Sequence, residues 1–148
     1  MLLALQPLNG IRVYACDTDE ECLDVLWGRI AQRGVKNLTA FHMPNYSQIY
    51  IPGWLPPIDY VFCSFSMSSL EHPDIGLPQF VKQTPSGTQF HFIEWDPEKS
   101  HTALDIFVPA ARRIAIGDFK QLLLYSGLSI QHEESGKQPF YTMRAIKG

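Results

Sequence analysis

Four consecutive apolar residues, Tyr60-Val61-Phe62-Cys63, stand between Asp59 and a cluster of serines at positions 64, 66, 68 and 69. Continuous apolarity over a strand-length segment, in place of alternation, marks a strand covered on both faces, as in a parallel sheet between helix layers. In an open α/β sheet the ligand crevice lies beyond the carboxyl ends of the strands. The segment therefore predicts the middle of a sheet and, at its exit, one wall of a site.

A chain of 148 residues is of a size that buries most of its unfolded surface in one core, so a single domain over 1–148 is expected. Its hydrophobic share of 45% and charged share of 18% are those of a soluble globular protein, and no segment reaches the ~18 apolar residues of a membrane span. Met1 to Leu5 is too short for a signal-peptide core and no basic residue precedes it, which points to a cytoplasmic protein. Twelve basic residues scattered through a chain of net charge −3 offer no stripe for phosphates, so neither nucleic acid nor membrane is an expected partner. Cys16, Cys22 and Cys63 are odd in number and irregularly spaced; buried free thiols are expected.

Taken in order, Ile11–Cys16 reads as a strand ending at Asp17, and Thr18 with Glu21 has the spacing of a capping box. A helix follows, with Cys22, Leu23, Leu26, Trp27 and Ile30 as its buried stripe and Gly34 as its stop. Leu38–Phe41 is a short strand, 42–57 a loop, and Asp59–Phe65 the central strand. Gly76 and Pro78 limit 74–84 to a short helix at most. Thr88–Glu94 is a strand with Phe90 and Phe92 on one face and His91 and Ile93 on the other. Residues 97–116 carry no assignable pattern. Asp118–Ser126 is helical and stops at Gly127, and Leu128–Glu134 with Gln138–Ile146 forms a closing hairpin.

This ordered set, with D-Y-V-F-C-S-F and L-E-H-P after the central strand, P-S-G before the next, and I-E-W-D-P at that strand's end, resembles the class I S-adenosylmethionine-dependent methyltransferases. The branch it is most similar to acts on small molecules, among them ubiquinone and menaquinone precursors. The likeness runs from about Ile11 to the C-terminus. It implies an α/β, Rossmann-like sheet, mostly parallel with an antiparallel C-terminal hairpin, abbreviated at its N-terminus. The family opens with a strand, a glycine-rich turn and a helix; here no two glycines lie within two positions of each other. The absent strand is the family's central one. The strands matching it on either side, Ile11–Cys16 and Asp59–Phe65, would then pair directly, or a second chain, as in a homodimer, would complete the sheet.

The resemblance also assigns residues. Asp17 matches the acid that holds the cofactor's ribose hydroxyls, although it could equally help cap the helix beside it. Asn45 stands where an acid usually receives the adenine amino group, and Phe65 lies at the cofactor edge of the crevice. Ser66, Ser68, Ser69 and His72 fall where the family shapes its substrate pocket, and His72 has the chemistry of a base. Glu94 and Asp96 could orient a substrate, with Trp95 covering a cationic sulfonium or plugging the core. Arg112 and Arg113 either bind an anion or solvate a surface. No catalytic residue is singled out. With one anchor of three retained, S-adenosylmethionine would be held weakly or not at all by this chain alone. The two readings are a methyltransferase-like protein derived from a small-molecule enzyme and a non-catalytic scaffold that keeps the fold and acts by association. Motifs for serine hydrolases, phosphate-binding loops and zinc are absent from the sequence, so no metal is expected.

Overall fold

The computed structural model describes residues 10–43, 50–99 and 113–148. The chain divides into two compact units, Met1–Asn45 and Tyr46–Gly148.

The first unit is a single β-α-β turn. Strand β1 (Val13–Asp17) pairs in parallel with β2 (Leu38–His42), and helix α1 (Glu20–Arg33) connects them. Asp19, not Thr18, is the N-cap: its Oδ1 accepts from the amides of Glu21 and Cys22 at 2.9 and 3.2 Å. A carboxylate one residue nearer the helix outcompetes the hydroxyl because it can take two amides at once. Gly34, at φ 61°, closes the helix in the left-handed conformation that only glycine adopts without strain. Of the expected stripe only Leu23 is buried, while Leu26 and Ile30 are half-buried and Cys22 and Trp27 exposed. Cys16 is exposed as well, so of the three free thiols only Cys63 is buried.

The second unit carries a four-stranded sheet in the order β3-β4-β6-β5. Strands β3 (Tyr60–Ser64) and β4 (Gln89–Trp95) run parallel, and β6 (Phe140–Lys147) lies antiparallel to both β4 and β5 (Leu128–Ser135). Among the described residues two of the four strand pairings, β1–β2 and β3–β4, are parallel, fewer than expected. Among the described residues β3 pairs with β4 and β1 with β2, each within its own unit. The apolar run is an edge strand, not a central one, and it is buried on one face only. Val61 and Cys63 are buried; Tyr60 and Phe62 keep 50% and 44% exposure.

The buried face packs on helices α2 (Pro73–Gln83) and α3 (Ile116–Tyr125). Leu77, Phe80 and Val81 from α2 and Phe119 and Leu123 from α3 meet Phe90, Phe92, Tyr141 and Met143 of the sheet in one cluster. Phe92 lies edge-on to Phe119 with ring centroids 5.2 Å apart, a geometry that aromatic quadrupoles favour. Helix α2 runs straight through Gly76 and Pro78, longer than the sequence suggests. Four of its residues, Gly76, Leu77, Phe80 and Val81, are buried, and that burial offsets the roughly 3 kcal/mol an interior proline costs.

Candidate functional site

The chain's crevice residues lie at the exits of β3 and β4. After Ser64 the backbone turns through Phe65 at φ 55°, the one non-glycine residue with positive φ among those described. The Phe65 amide still donates to the Ile93 carbonyl at 2.7 Å, so the ladder ends only beyond it. A 3-10 turn over Met67–Ser69 follows. The reversal directs the chain back across the end of β4, where Glu94 waits.

Glu94 is fully buried. Its Oε1 accepts the Met67 amide at 2.8 Å and its Oε2 accepts the Ser68 hydroxyl at 3.0 Å. Burial pushes its carboxyl above the usual carboxylate value, and the hydrogen bonds from the Met67 amide and the Ser68 hydroxyl oppose that shift. Glu94 therefore anchors the loop from beneath rather than facing a substrate as the sequence suggested.

The serines are equally committed. The Ser66 hydroxyl donates to the Ser64 carbonyl at 3.1 Å and that of Ser69 to the Phe65 carbonyl at 3.3 Å. Ser66 and Ser69 thus spend their protons within the loop and Ser68 spends its proton on Glu94, which leaves the exposed Ser66 and Ser69 with lone pairs to offer a ligand. Ser66 and Ser69 are exposed, and Ser68 is buried. His72 is exposed and occupies the N-cap of α2 without a side-chain cap bond.

Trp95, next along β4, points to the opposite face from Glu94, as strand alternation requires. Its ring stacks on Phe65 with centroids 4.1 Å apart and planes 13° from parallel. Phe140, opposite Trp95 in the β4–β6 register, closes the group edge-on at 6.4 Å from Trp95 and 6.2 Å from Phe65. Asp96 is buried and engaged: its Oδ2 meets Lys99 Nζ at 3.0 Å and its Oδ1 accepts the Glu98 amide at 3.0 Å. Lys99 in turn donates to the Gly136 carbonyl at 2.6 Å, tying the β4 exit to the hairpin turn. Arg113 is buried, which removes the surface role suggested for it. Arg112 and Asn45 lie outside the described residues. The structure thus brings together Phe65, Ser66, Ser68, Ser69, Glu94 and Trp95, and turns Asp96 to structural work.

Phe140, Tyr141 and Lys99 were not legible as neighbours of this site. The Tyr141 hydroxyl donates to the Ile114 carbonyl at 2.8 Å, and burial, then Glu94 and Asp96, raises its pKa. An aromatic pair opening the last strand was the available signal, but the register that sets Phe140 against Trp95 depends on the hairpin's turn.

Asp17 belongs to the first unit. It is exposed at the end of β1, and its Oδ1 accepts the Asp19 amide at 3.1 Å. One oxygen thus stabilises the turn into α1, and Oδ2 is the one positioned to take a hydroxyl from a ligand. A vicinal diol uses both oxygens of a carboxylate to best effect, so the fit to a ribose is partial. A depression of about 250 Å³ lined by Ile51, Leu55, Pro56, Pro57, Ile58, Gln83 and Pro85 lies at the opposite end of β3. None of the expected site residues borders it.

Solved structures show the same fold. A SAM-dependent methyltransferase from Aquifex aeolicus superposes with a TM-score of 0.75 at 20% identity, covering 91% of this chain and 68% of its own. The fold is that of S-adenosylmethionine-dependent methyltransferases. A second such enzyme, from Clostridium acetobutylicum, gives 0.70 at 14% identity over 93% of this chain and 75% of its own. The [4+2]-cyclase SpnF gives 0.80 at 10% identity, over 99% of this chain and 69% of its own. No family model matches the sequence. No curated protein matches it either. Among the described residues no group of histidine, cysteine, aspartate and glutamate could hold a metal ion, and no helix is long and apolar enough to cross a membrane.

Proposed function

We propose that this chain is a methyltransferase-like protein, derived from enzymes that act on small molecules, and that it does not hold S-adenosylmethionine unaided. The observation that carries the reading is the commitment of Glu94: both carboxylate oxygens fix the loop that walls the crevice, so the acceptor side is shaped. On the donor side Asp17 alone is in hand, with one oxygen already used. No glycine pair in the sequence allows a close backbone approach to a ligand. The open edge of β3 offers unpaired backbone groups to a strand of a second chain that would complete the sheet.

When bound, the cofactor supplies an electrophilic methyl group on a sulfonium. In this reading Asp17 Oδ2 of the first unit would take a ribose hydroxyl, and in the second unit the stacked rings of Phe65 and Trp95 would border the acceptor molecule. Ser66 and Ser69 would accept hydrogen bonds from the acceptor molecule. Such a site works by aligning a nucleophile with the methyl group, with little proton transfer from the loop itself.

Calorimetric titration of the pure chain with S-adenosylmethionine tests this. No heat is expected; stoichiometric binding by the isolated chain overturns the proposal.

A second reading, a non-catalytic scaffold, is favoured by the aromatic exposure of Tyr60 and Phe62 on β3, which suits association. The likeness to a [4+2]-cyclase also fits a fold that is not tied to methyl transfer. If no methyl transfer appears even with a partner that restores cofactor binding, the scaffold reading stands.

A further inference from the structure

The face of the four-stranded sheet turned away from α2 and α3 carries one register row that crosses every strand. Phe62 pairs with His91, His91 with Arg144, and Arg144 with His132. Tyr60, one row away on the same face, shares a hydrogen bond at 3.0 Å between its hydroxyl and His91 Nδ1. Phe62 meets the His91 ring edge-on at 5.5 Å. Tyr60, Phe62, Arg144 and His132 are all exposed. Burial, then Arg144 and His132, lowers the His91 pKa from the ordinary histidine value, which keeps His91 neutral at neutral pH next to the permanently charged Arg144. The acid on this face among the described residues, Glu134, stands one row on, opposite Thr142.

Parallel pairs such as β3–β4 are covered on both faces in stable folds, usually by helices. An exposed arginine on the same face as an exposed tyrosine and phenylalanine, with His91 between them, has the composition of an interface centre and not of a solvated face. Helix α1 carries a complementary surface. It turns Glu21, Asp24, Val25, Gly28 and Arg29 away from Leu23, at spacings of three and four residues, with the two acids in its first half and the arginine toward its end. Val25 is 55% exposed there. No atom lies within 4 Å of where a side chain on Gly28 would begin, so a partner can approach the helix backbone closely at that point. Two carboxylates beside an exposed valine match a face that carries an exposed arginine on β6 and exposed aromatic rings on β3.

We propose that the sheet face around Arg144 is an association surface whose occupant is helix α1 of a second copy of this chain. Glu21 and Asp24 of one protomer would face Arg144 and His132 of the other, and Val25 would cover Phe62. This surface is independent of the cofactor reading above and would stand if that reading fell.

Sedimentation velocity on the full chain over a range of concentration tests it. The wild type is expected to dimerise. Arg144→Glu, and separately Glu21→Arg with Asp24→Arg, should each weaken self-association at least about tenfold. Mixing the two charge-reversed chains should restore association, more so at low salt. Circular dichroism confirms that each variant remains folded, which is expected because all three positions are exposed. A chain that stays monomeric at every concentration overturns the proposal. So does a mixture of folded variants that associates no better than either alone.

Discussion

Glu94 and Ser68 are 26 residues apart in sequence and meet in the core, where the serine hydroxyl donates to a carboxylate oxygen at 3.0 Å. Together with the Met67 amide on the other oxygen, this contact fixes the loop after β3 to the end of β4. The loop expected to wall the crevice is therefore held by a buried acid, and its shape depends on that one side chain.

Replacing that acid with alanine leaves the Met67 amide and the Ser68 hydroxyl without partners in a buried site. Each unsatisfied buried donor costs roughly 1–3 kcal/mol, so Glu94→Ala should destabilise the chain by at least about 2 kcal/mol. Glu94→Gln keeps an acceptor for one donor and an amide that the Ser68 oxygen can accept, and should cost about half as much. Urea denaturation of the three proteins measures the order; equal loss in both variants would show that the carboxylate charge, not the acceptor pair, is what matters.

The same residue gives stability a pH dependence of unusual sign. An ordinary paired carboxylate has a depressed pKa and stabilises as pH rises. Glu94 is shifted upward from 4.5 because burial outweighs its hydrogen bonds, so the folded chain keeps a proton that the unfolded chain has released. Its contribution is complete below pH 4.5 and declines as pH rises through the folded-state value. Relative to Glu94→Gln, the wild type should lose stability on going upward from pH 4.5. Denaturation of both proteins across that window checks it, and a difference that grows with pH refutes it.

Much of this arrangement was legible in the sequence, for identifiable reasons. The alternation of Phe90 and Phe92 against His91 and Ile93 is a local period, and β4 follows it residue by residue. Gly34 and Gly127 stop their helices because a left-handed residue is a local demand. The errors arose where distant parts of the chain decide. Tyr60-Val61-Phe62-Cys63 reads the same whether a strand is central or at an edge, since an apolar run reports composition and not how many neighbours it has. Glu94 looked like a ligand because a carboxylate at a strand exit faces either a crevice or a loop, and only the path of residues 66–69 distinguishes the two. Asp96 was likewise claimed by Lys99, three positions on in an irregular segment where spacing carries no rule.

Phe65 offers a test of backbone strain. Its φ of 55° lies in the left-handed region, which costs a residue with a side chain roughly 1–2 kcal/mol. The stack on Trp95 opposes that cost. Phe65→Ala removes the stack and keeps the strain, whereas Phe65→Gly removes both. Glycine should therefore be the more stable variant by about 1 kcal/mol, the reverse of the order found inside a helix. Thermal melts rank the two, and shifted tryptophan emission in both would report the lost stack; alanine proving the more stable would mean the turn relaxes once the ring is gone.

Pro78 sits in the second turn of α2, where an ordinary residue would donate its amide to the Asp74 carbonyl. Proline cannot, and its ring crowds that carbonyl. The helix persists because Leu77, Phe80 and Val81 are buried against the sheet, so tertiary packing overrides a local breaker. Pro78→Ala restores the donor at a half-buried position and leaves the buried stripe untouched. Stability should rise by roughly 1–3 kcal/mol, read as an increase in Tm and in the urea midpoint. A neutral or destabilising result would mean that the proline ring itself helps seat Phe80 against Phe90, whose rings lie edge-on at 6.2 Å, and is not merely tolerated there.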